Sequence, residues 1–195
     1  GLEPVGEPWP RLFPFQADLT RWALRRGRSA IFADTGLGKT SMELTWAREV
    51  SAQTGGDVLI LTPLAVAPQV VAEAVMLGDL VSFADKDPTP GVHVLNYDRL
   101  HRIDPSAYAG VVLDESSCLK HQDSSTFSRL CEAFRDTPYR LAATATPAPN
   151  DWTELGTHAE FLGVCTRAEM LSEFFCHDGG ETQDWKLKGH ARGAF

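Results

Sequence analysis

The run Ala33-Asp34-Thr35-Gly36-Leu37-Gly38-Lys39-Thr40 limits what this chain can be more than any other stretch. The apolar residues Ala30-Ile31-Phe32-Ala33 lead into it, and a helical pattern leaves it. Strand, glycine loop and helix in that order surround the phosphates of a nucleotide with backbone N–H groups. Thr35, Gly36, Leu37, Gly38, Lys39 and Thr40 are therefore the expected nucleotide-binding residues of the loop. The glycines permit close backbone approach. Lys39 brings a point charge for the β- and γ-phosphates, and the Thr40 hydroxyl is placed to ligate Mg²⁺. ATP with Mg²⁺ is the expected cofactor pair. Ala33 is a departure, because the usual pattern opens with glycine there. A surface loop carrying G-K-T by coincidence is the alternative, and the flanking strand and helix speak against it.

At 195 residues the chain has room for one domain, or one domain with a small appendage. Its 43% apolar and 23% charged residues suit a globular protein with a real core. No apolar stretch is long enough to cross a bilayer and no signal peptide opens the chain, so no membrane partner is expected. The first residue is Gly1 rather than Met, which fits a trimmed chain. Cys118, Cys131, Cys165 and Cys176 are widely spaced with no C-x-x-C pair, which favours a reducing cytoplasm over a disulfide framework. Cys118 and His121 have the spacing of some metal ligands, but no second pair accompanies them, and idle thiols are the better reading.

A formal net charge of −8 argues against a sequence-independent nucleic-acid coat protein. It leaves open a motor that holds nucleic acid in one local groove. The densest basic patch puts Arg21, Arg25 and Arg28 on one helical face. A solvated helix face is the favoured reading there, and a phosphate-binding stripe the alternative.

The proline-rich first dozen residues suggest an extended arm. A helix is expected from Phe15 to Arg26, ended by Gly27, then a strand from Ser29 to Ala33. The helix after the loop runs from Lys39 to about Gln53, stopped by Thr54-Gly55-Gly56. Asp57 to Leu61 is the nearly continuous apolar strand of a parallel sheet covered on both faces. A helix from Pro68 to Leu77 follows, then short strands at Leu80 to Phe83 and Val92 to Leu95. Val111-Val112-Leu113 is a further strand, Ser124 to Phe134 a helix and Tyr139 to Ala143 a strand. Asp151 and Glu154 form a capping-box pattern that opens a helix towards Leu162. A last helix from Arg167 to Phe175 precedes a polar, Gly-rich tail. Alternating strands and helices imply an α/β fold, a mostly parallel sheet with helices on both faces and ligands at the strand carboxyl ends.

Asp114-Glu115, directly after an apolar strand, narrows the chemistry. One carboxylate at such a strand end can hold Mg²⁺ and the next can polarise an attacking water. Asp114 takes the metal and Glu115 the water in this reading, with simple solvated charges as the alternative. Lys39, Asp114 and Glu115 are the catalytic candidates, and Thr40 and Asp114 the metal ligands.

These residues carry a family resemblance. Asp114-Glu115-Ser116-Ser117 resembles the D-E-x-H box of superfamily 2 helicases and translocases, and Leu119-Lys120 follows as in the Swi/Snf branch. Leu141-Ala142-Ala143-Thr144-Ala145-Thr146-Pro147, then Asn150, is similar to that branch's third motif, and Glu154-Leu155 and Phe161-Leu162 continue the likeness. Phe15-Gln16 resembles the family's adenine-reading glutamine, while Leu61-Thr62-Pro63 and Asn96-Tyr97 resemble its nucleic-acid-facing elements. The likeness runs from Phe13 to Phe175 in motif order.

The resemblance implies the first RecA-like ATP-binding lobe, residues 15–165, of a motor that moves on double- or single-stranded DNA, with RNA also open. It implies an arm over 1–14 and a helical extension over 166–195 that leads to a second RecA-like lobe. Gln16 would bond the adenine edge and Phe13 or Phe15 cover the ring. Thr62 and Pro63 would face the sugar–phosphate backbone, and Thr144 and Thr146 would couple nucleotide state to nucleic-acid contact. Ser117 departs from the family's usual histidine, although its hydroxyl can still bond Thr144 or Thr146. The short lobe is similar to helicase-like proteins of phages and mobile elements, so the expected setting is the cytoplasm of a bacterium or phage-infected host.

No Q-x-x-G-R-x-x-R motif of a second lobe follows Phe175. Arginine fingers supplied by that lobe are worth about 10³ to 10⁵ in rate, so the isolated chain is expected to be a monomer that turns over ATP very slowly. A stand-alone nucleotide-binding regulatory module is the competing function. A small-molecule kinase would need a lid with clustered arginines, which the sequence does not offer clearly.

Overall fold

Residues such as Val58-Leu59-Ile60-Leu61 leave no polar side for solvent, so the strand they form needs cover on both faces. The computed structural model describes residues 1–117, 124–148, 152–177, 185–189 and 191. Cys118, Leu119, Lys120, His121, Asn150 and Asp151, singled out above, lie outside the described residues. Helix α1 (Pro14–Arg26) precedes strand β1 (Arg28–Phe32), and α2 (Lys39–Thr54) leads to β2 (Asp57–Thr62). Then come α3 (Ala67–Leu77), β3 (Val81–Phe83), β4 (Val92–Asn96) and β5 (Tyr108–Leu113). Helix α4 (Ser124–Ala133), β6 (Tyr139–Thr144), α5 (Leu155–Leu162) and α6 (Arg167–Phe174) complete the main body. Strands β7 (Phe175–His177) and β8 (Trp185–Leu187) close the chain.

Six strands form one sheet in the order β1-β6-β5-β2-β4-β3, and every pairing in it is parallel. The expected α/β architecture is what the chain adopts. Side chains alternate across the sheet with period two. Val58 and Ile60 join Leu24, Met42, Trp46 and Val70 from α1, α2 and α3. Leu59 and Leu61 face the other way, onto Leu130, Phe134, Phe161 and Leu162 of the α4 and α5 side. Each large apolar side chain buried here contributes roughly 1.5–3 kcal/mol, so neither face can be opened cheaply. Among the described residues no helix is long and apolar enough to cross a membrane.

The polar, Gly-rich tail contributes a second, smaller sheet. β7 and β8 pair antiparallel and pack Phe175, Trp185 and Leu187 against Met170 and Leu171 of α6. Two three-residue strands give too short an alternation to stand out in a Gly-rich sequence.

The first residues are tied to the body of the fold. Glu49 of α2 is 2% exposed and accepts hydrogen bonds from Val5 N (2.9 Å), Gly6 N (2.8 Å) and the Trp9 indole (3.0 Å). The basic face of α1 is answered by the same arm. Arg21 pairs with Glu7 and Asp18, and Arg25 with Glu3 at 2.9 Å. Arg28 donates to the Pro138 carbonyl instead. Surface pairs of this kind are individually weak, so the buried Glu49 is the stronger anchor. Glu49→Ala strands two backbone donors and an indole N–H, and should lower unfolding free energy by about 3 kcal/mol. Urea denaturation measures that loss, and limited proteolysis should show the first dozen residues cut before the rest.

Candidate functional site

In register, Phe32 lies beside Thr144 and Thr62 beside Asn96, so the carboxyl ends of the strands form one level edge. The loop after β1, the turn after β5 and the turn after β6 all leave from it. That brings together the glycine loop, the acidic pair and the Thr-rich turn.

Gly36 and Gly38 adopt φ of +79° and +71°, a left-handed backbone that other residues rarely hold. A Cβ at Gly38 would also sit 2.3 Å from the Gln16 side-chain nitrogen. Gln16 is buried, and its amide ties two elements together. Its Oε1 accepts from Phe13 N and its Nε2 donates to the Leu37 carbonyl, both at 2.9 Å. Phe13 and Phe15 stand exposed beside it, stacked with ring centroids 6.3 Å apart. Lys39 Nζ donates to the carbonyls of Ala33 (3.0 Å) and Asp34 (3.3 Å). These partners are neutral, so the ammonium keeps its charge available to a phosphate. Thr35 N donates to its neighbour's Asp34 carboxylate at 2.7 Å, and Leu37 is exposed. Thr40 is half-buried in the first turn of α2, one residue after Lys39.

Across the edge, Asp114 is 5% exposed and its Oδ2 accepts from the Thr62 hydroxyl at 2.7 Å. Burial pushes this carboxyl above the ordinary aspartate range, and the Thr62 bond works against that push. Glu115 takes φ +51°, a strained conformation for a non-glycine residue at a turn. Its Oε1 accepts from the Thr144 hydroxyl (3.0 Å) and from the Ser117 hydroxyl (3.3 Å). Thr144 Oγ1 in turn accepts from Thr146 N at 3.1 Å. Ser117 therefore meets Thr144 through a shared carboxylate oxygen.

One assignment needs correcting. Thr62 is fully buried with its hydroxyl committed to Asp114, so its side chain does not face a nucleic-acid backbone. Pro63 beside it is half-buried. Likewise Asn96 is buried, and Tyr97 donates its hydroxyl to the Asp114 carbonyl at 2.8 Å.

Glu43, four residues after Lys39 on the same helical face, was missed by sequence reasoning. It is 1% exposed, and neither carboxyl oxygen has a hydrogen-bond partner among the described residues. Burial pushes it well above the ordinary glutamate range, with Asp114 adding to the push and Lys39 opposing it. Glu73 and Glu115 add further negative charge there, and Ser41 donates to Glu73. Carboxyl groups gathered around one lysine suit a nucleotide that arrives with a divalent cation, whose charge would favour their ionised forms. Among the described residues no cluster of three metal-ligating side chains holds a metal on its own. Thr40 and Asp114 would be partial ligands, and phosphate and water would have to supply the rest.

The fold and this edge define a class, a RecA-like α/β lobe. More particularly, its fold is similar to part of the SWI2/SNF2 ATPase and helicase cores among solved structures. The SWI2/SNF2 ATPase core of Sulfolobus solfataricus in complex with dsDNA matches with a TM-score of 0.71 at 21% identity, over 89% of this chain and 40% of that one. The Hef helicase domain of Pyrococcus furiosus matches with 0.61 at 19%, over 76% and 36%. The UvsW helicase of bacteriophage T4 matches with 0.61 at 16%, over 83% and 61%. The chain thus spans less than two thirds of each. No protein-family model matches the chain, and no curated protein does.

Glu43 gives a pH prediction. A carboxyl raised on folding favours the folded state while protonated, so its contribution is intact below the ordinary value of 4.5 and is lost as pH rises from there towards the folded value. Glu43→Gln keeps the shape without the ionisable proton. Its melting temperature should match the parent's at about pH 4 and exceed it increasingly up to about pH 8. Equal melting curves across that range would show that Glu43 ionises freely.

Proposed function

We propose that this chain is the ATP-binding first lobe of a nucleic-acid-dependent ATPase, of helicase or translocase type, that couples ATP hydrolysis to movement on DNA. The observation that carries this reading is the bond from Thr144 to Glu115. It joins the carboxylate suited to orienting water with the turn after β6, so a shift in that turn changes where the carboxylate points. Lys39 and the loop amides would bind the polyphosphate, with Gln16 and the Phe13–Phe15 shelf on the base side. Thr40 and Asp114 would hold Mg²⁺, which supplies charge neutralisation of the phosphates. Glu115 would orient the attacking water. Pro63 would stand towards the nucleic acid, double- or single-stranded DNA or RNA, and Thr144 and Thr146 would couple nucleotide state to that contact. The lobe would comprise 15–165, flanked by the arm and an extension leading to a second RecA-like lobe, in a bacterial or phage-infected cytoplasm.

Turnover of ATP by the complete protein with and without DNA or RNA tests this function, and no stimulation by either would sink it. Nucleotide binding without any turnover would instead favour a regulatory module. Lys39→Ala should weaken ATP binding roughly 100-fold in calorimetry while leaving the circular dichroism unchanged, because the hydrogen bonds of its ammonium go to two carbonyls of the loop. Glu115→Gln should bind ATP as before and lose about 10²- to 10⁴-fold in hydrolysis.

A further inference from the structure

His158 of α5 enters the acidic turn from outside every motif described above. It is 5% exposed, and its Nε2 lies 2.9 Å from the Ser116 hydroxyl. Ser116, 1% exposed, lies 3.2 Å from the Ala143 carbonyl, positioned to donate to it. A serine hydroxyl has one proton to give. In the Nε2–H tautomer the ring donates to Ser116 and Ser116 donates to Ala143. That tautomer makes a directed chain from His158 through Ser116 to the end of β6, one residue before Thr144. Ser117, the next residue, points the other way, to Glu115.

The same imidazole touches the opposite side of the site. Its ring packs edge-on against Phe32, with centroids 5.4 Å apart at 81°. Phe32 is the last residue of β1 and stands directly before the glycine loop. Phe32 pairs with Thr144 in the sheet, and Ala33 N donates to the Thr144 carbonyl at 3.3 Å. One side chain therefore meets the acidic turn, the strand that feeds the loop and, through Ser116, the strand that carries Thr144. It is delivered by the first helix after the Thr-rich turn, so displacement of that turn moves it.

Resting on the ATPase reading above, we propose that His158 is a positioning residue: through Ser116 and Phe32 it fixes the acidic turn relative to Thr144, and so relays movement of the turn after β6 to Glu115. It touches neither nucleotide nor water itself. Its imidazole supplies, from a different helix, a link that Ser117 is too short to make alone.

The complete protein tests this through steady-state ATPase with DNA, alongside NMR of ¹⁵N-histidine-labelled protein. His158→Leu removes the donor at similar volume, and kcat should fall about tenfold, the rate equivalent of one lost hydrogen bond, with KM for ATP within about twofold. His158→Gln keeps an N–H near the Nε2 position and should recover most of kcat. Ser116→Ala should reproduce the loss, and the double variant His158→Leu with Ser116→Ala should be no worse than either single one. The His158 signals of the parent should shift on adding a non-hydrolysable ATP analogue, and should stay put in Ser116→Ala. Should His158→Leu fail to fold, Ser116→Ala and His158→Gln still decide. An unchanged kcat in Ser116→Ala, additive losses in the double variant, or no rescue by glutamine would overturn the relay. A parent that binds the analogue but never turns over ATP refutes the ATPase reading instead, and the NMR shift then judges the link on its own.

Discussion

Burial of the parallel sheet on both faces is the constraint from which the rest follows. Val58, Leu59, Ile60 and Leu61 are all fully buried, so this central strand offers no side chain for polar chemistry along its length. That chemistry gathers at the carboxyl ends of the strands, where β1, β5 and β6 finish side by side. The loop amides, Asp114, Glu115 and Thr144 meet there because the hydrogen-bond register leaves them nowhere else to go. Even Thr62, a buried hydroxyl at a strand end, is satisfied only by turning onto Asp114.

The electrostatics of this edge follow from the same burial. Carboxyls removed from water tend to keep their protons, and Asp114 and Glu43 are both pushed upward by burial. A cation entering beside Thr40 and Asp114 would reverse that tendency for Asp114, because an adjacent positive charge favours the ionised form. For Glu43 the charge of Lys39, one turn earlier on the same helix, opposes the push without overcoming it. Its unpartnered oxygens mark it as a buried polar group retained at a cost, of the kind that clusters near functional sites.

The strands and the glycine loop were legible in the sequence because their signals are local. Continuous apolar runs read as covered strands, and Gly36 and Gly38 announce backbone that only glycine adopts readily. Asp114 and Glu115 were legible from their place at a strand end. Partnerships across the fold were not. A glutamate inside a helix, such as Glu43 or Glu49, looks like surface charge until the packing shows which face it takes. Thr62 read as an outward residue for the same reason, since the motif gives its position but not its side-chain direction. His158 carried no signal, because its chemistry depends on Ser116, 42 residues away.

Gln16 shows how one side chain can set the readiness of such a site. Its carbonyl holds the start of α1 and its amide holds the glycine loop at Leu37, so both ends of the group are occupied by protein. A base reading that group would have to exchange at least one of these bonds for its own. A typical hydrogen bond is worth only about 0.5–1.5 kcal/mol net, so the exchange would be nearly neutral where a base offered equivalent atoms. The loop would then be released from α1 only when a matching base replaced it. Base identity and phosphate-loop conformation would thus be joined at one residue, and the fully buried Thr20, which donates to the Gln16 backbone carbonyl at 2.8 Å, would keep that residue's backbone fixed while its side chain changed partners.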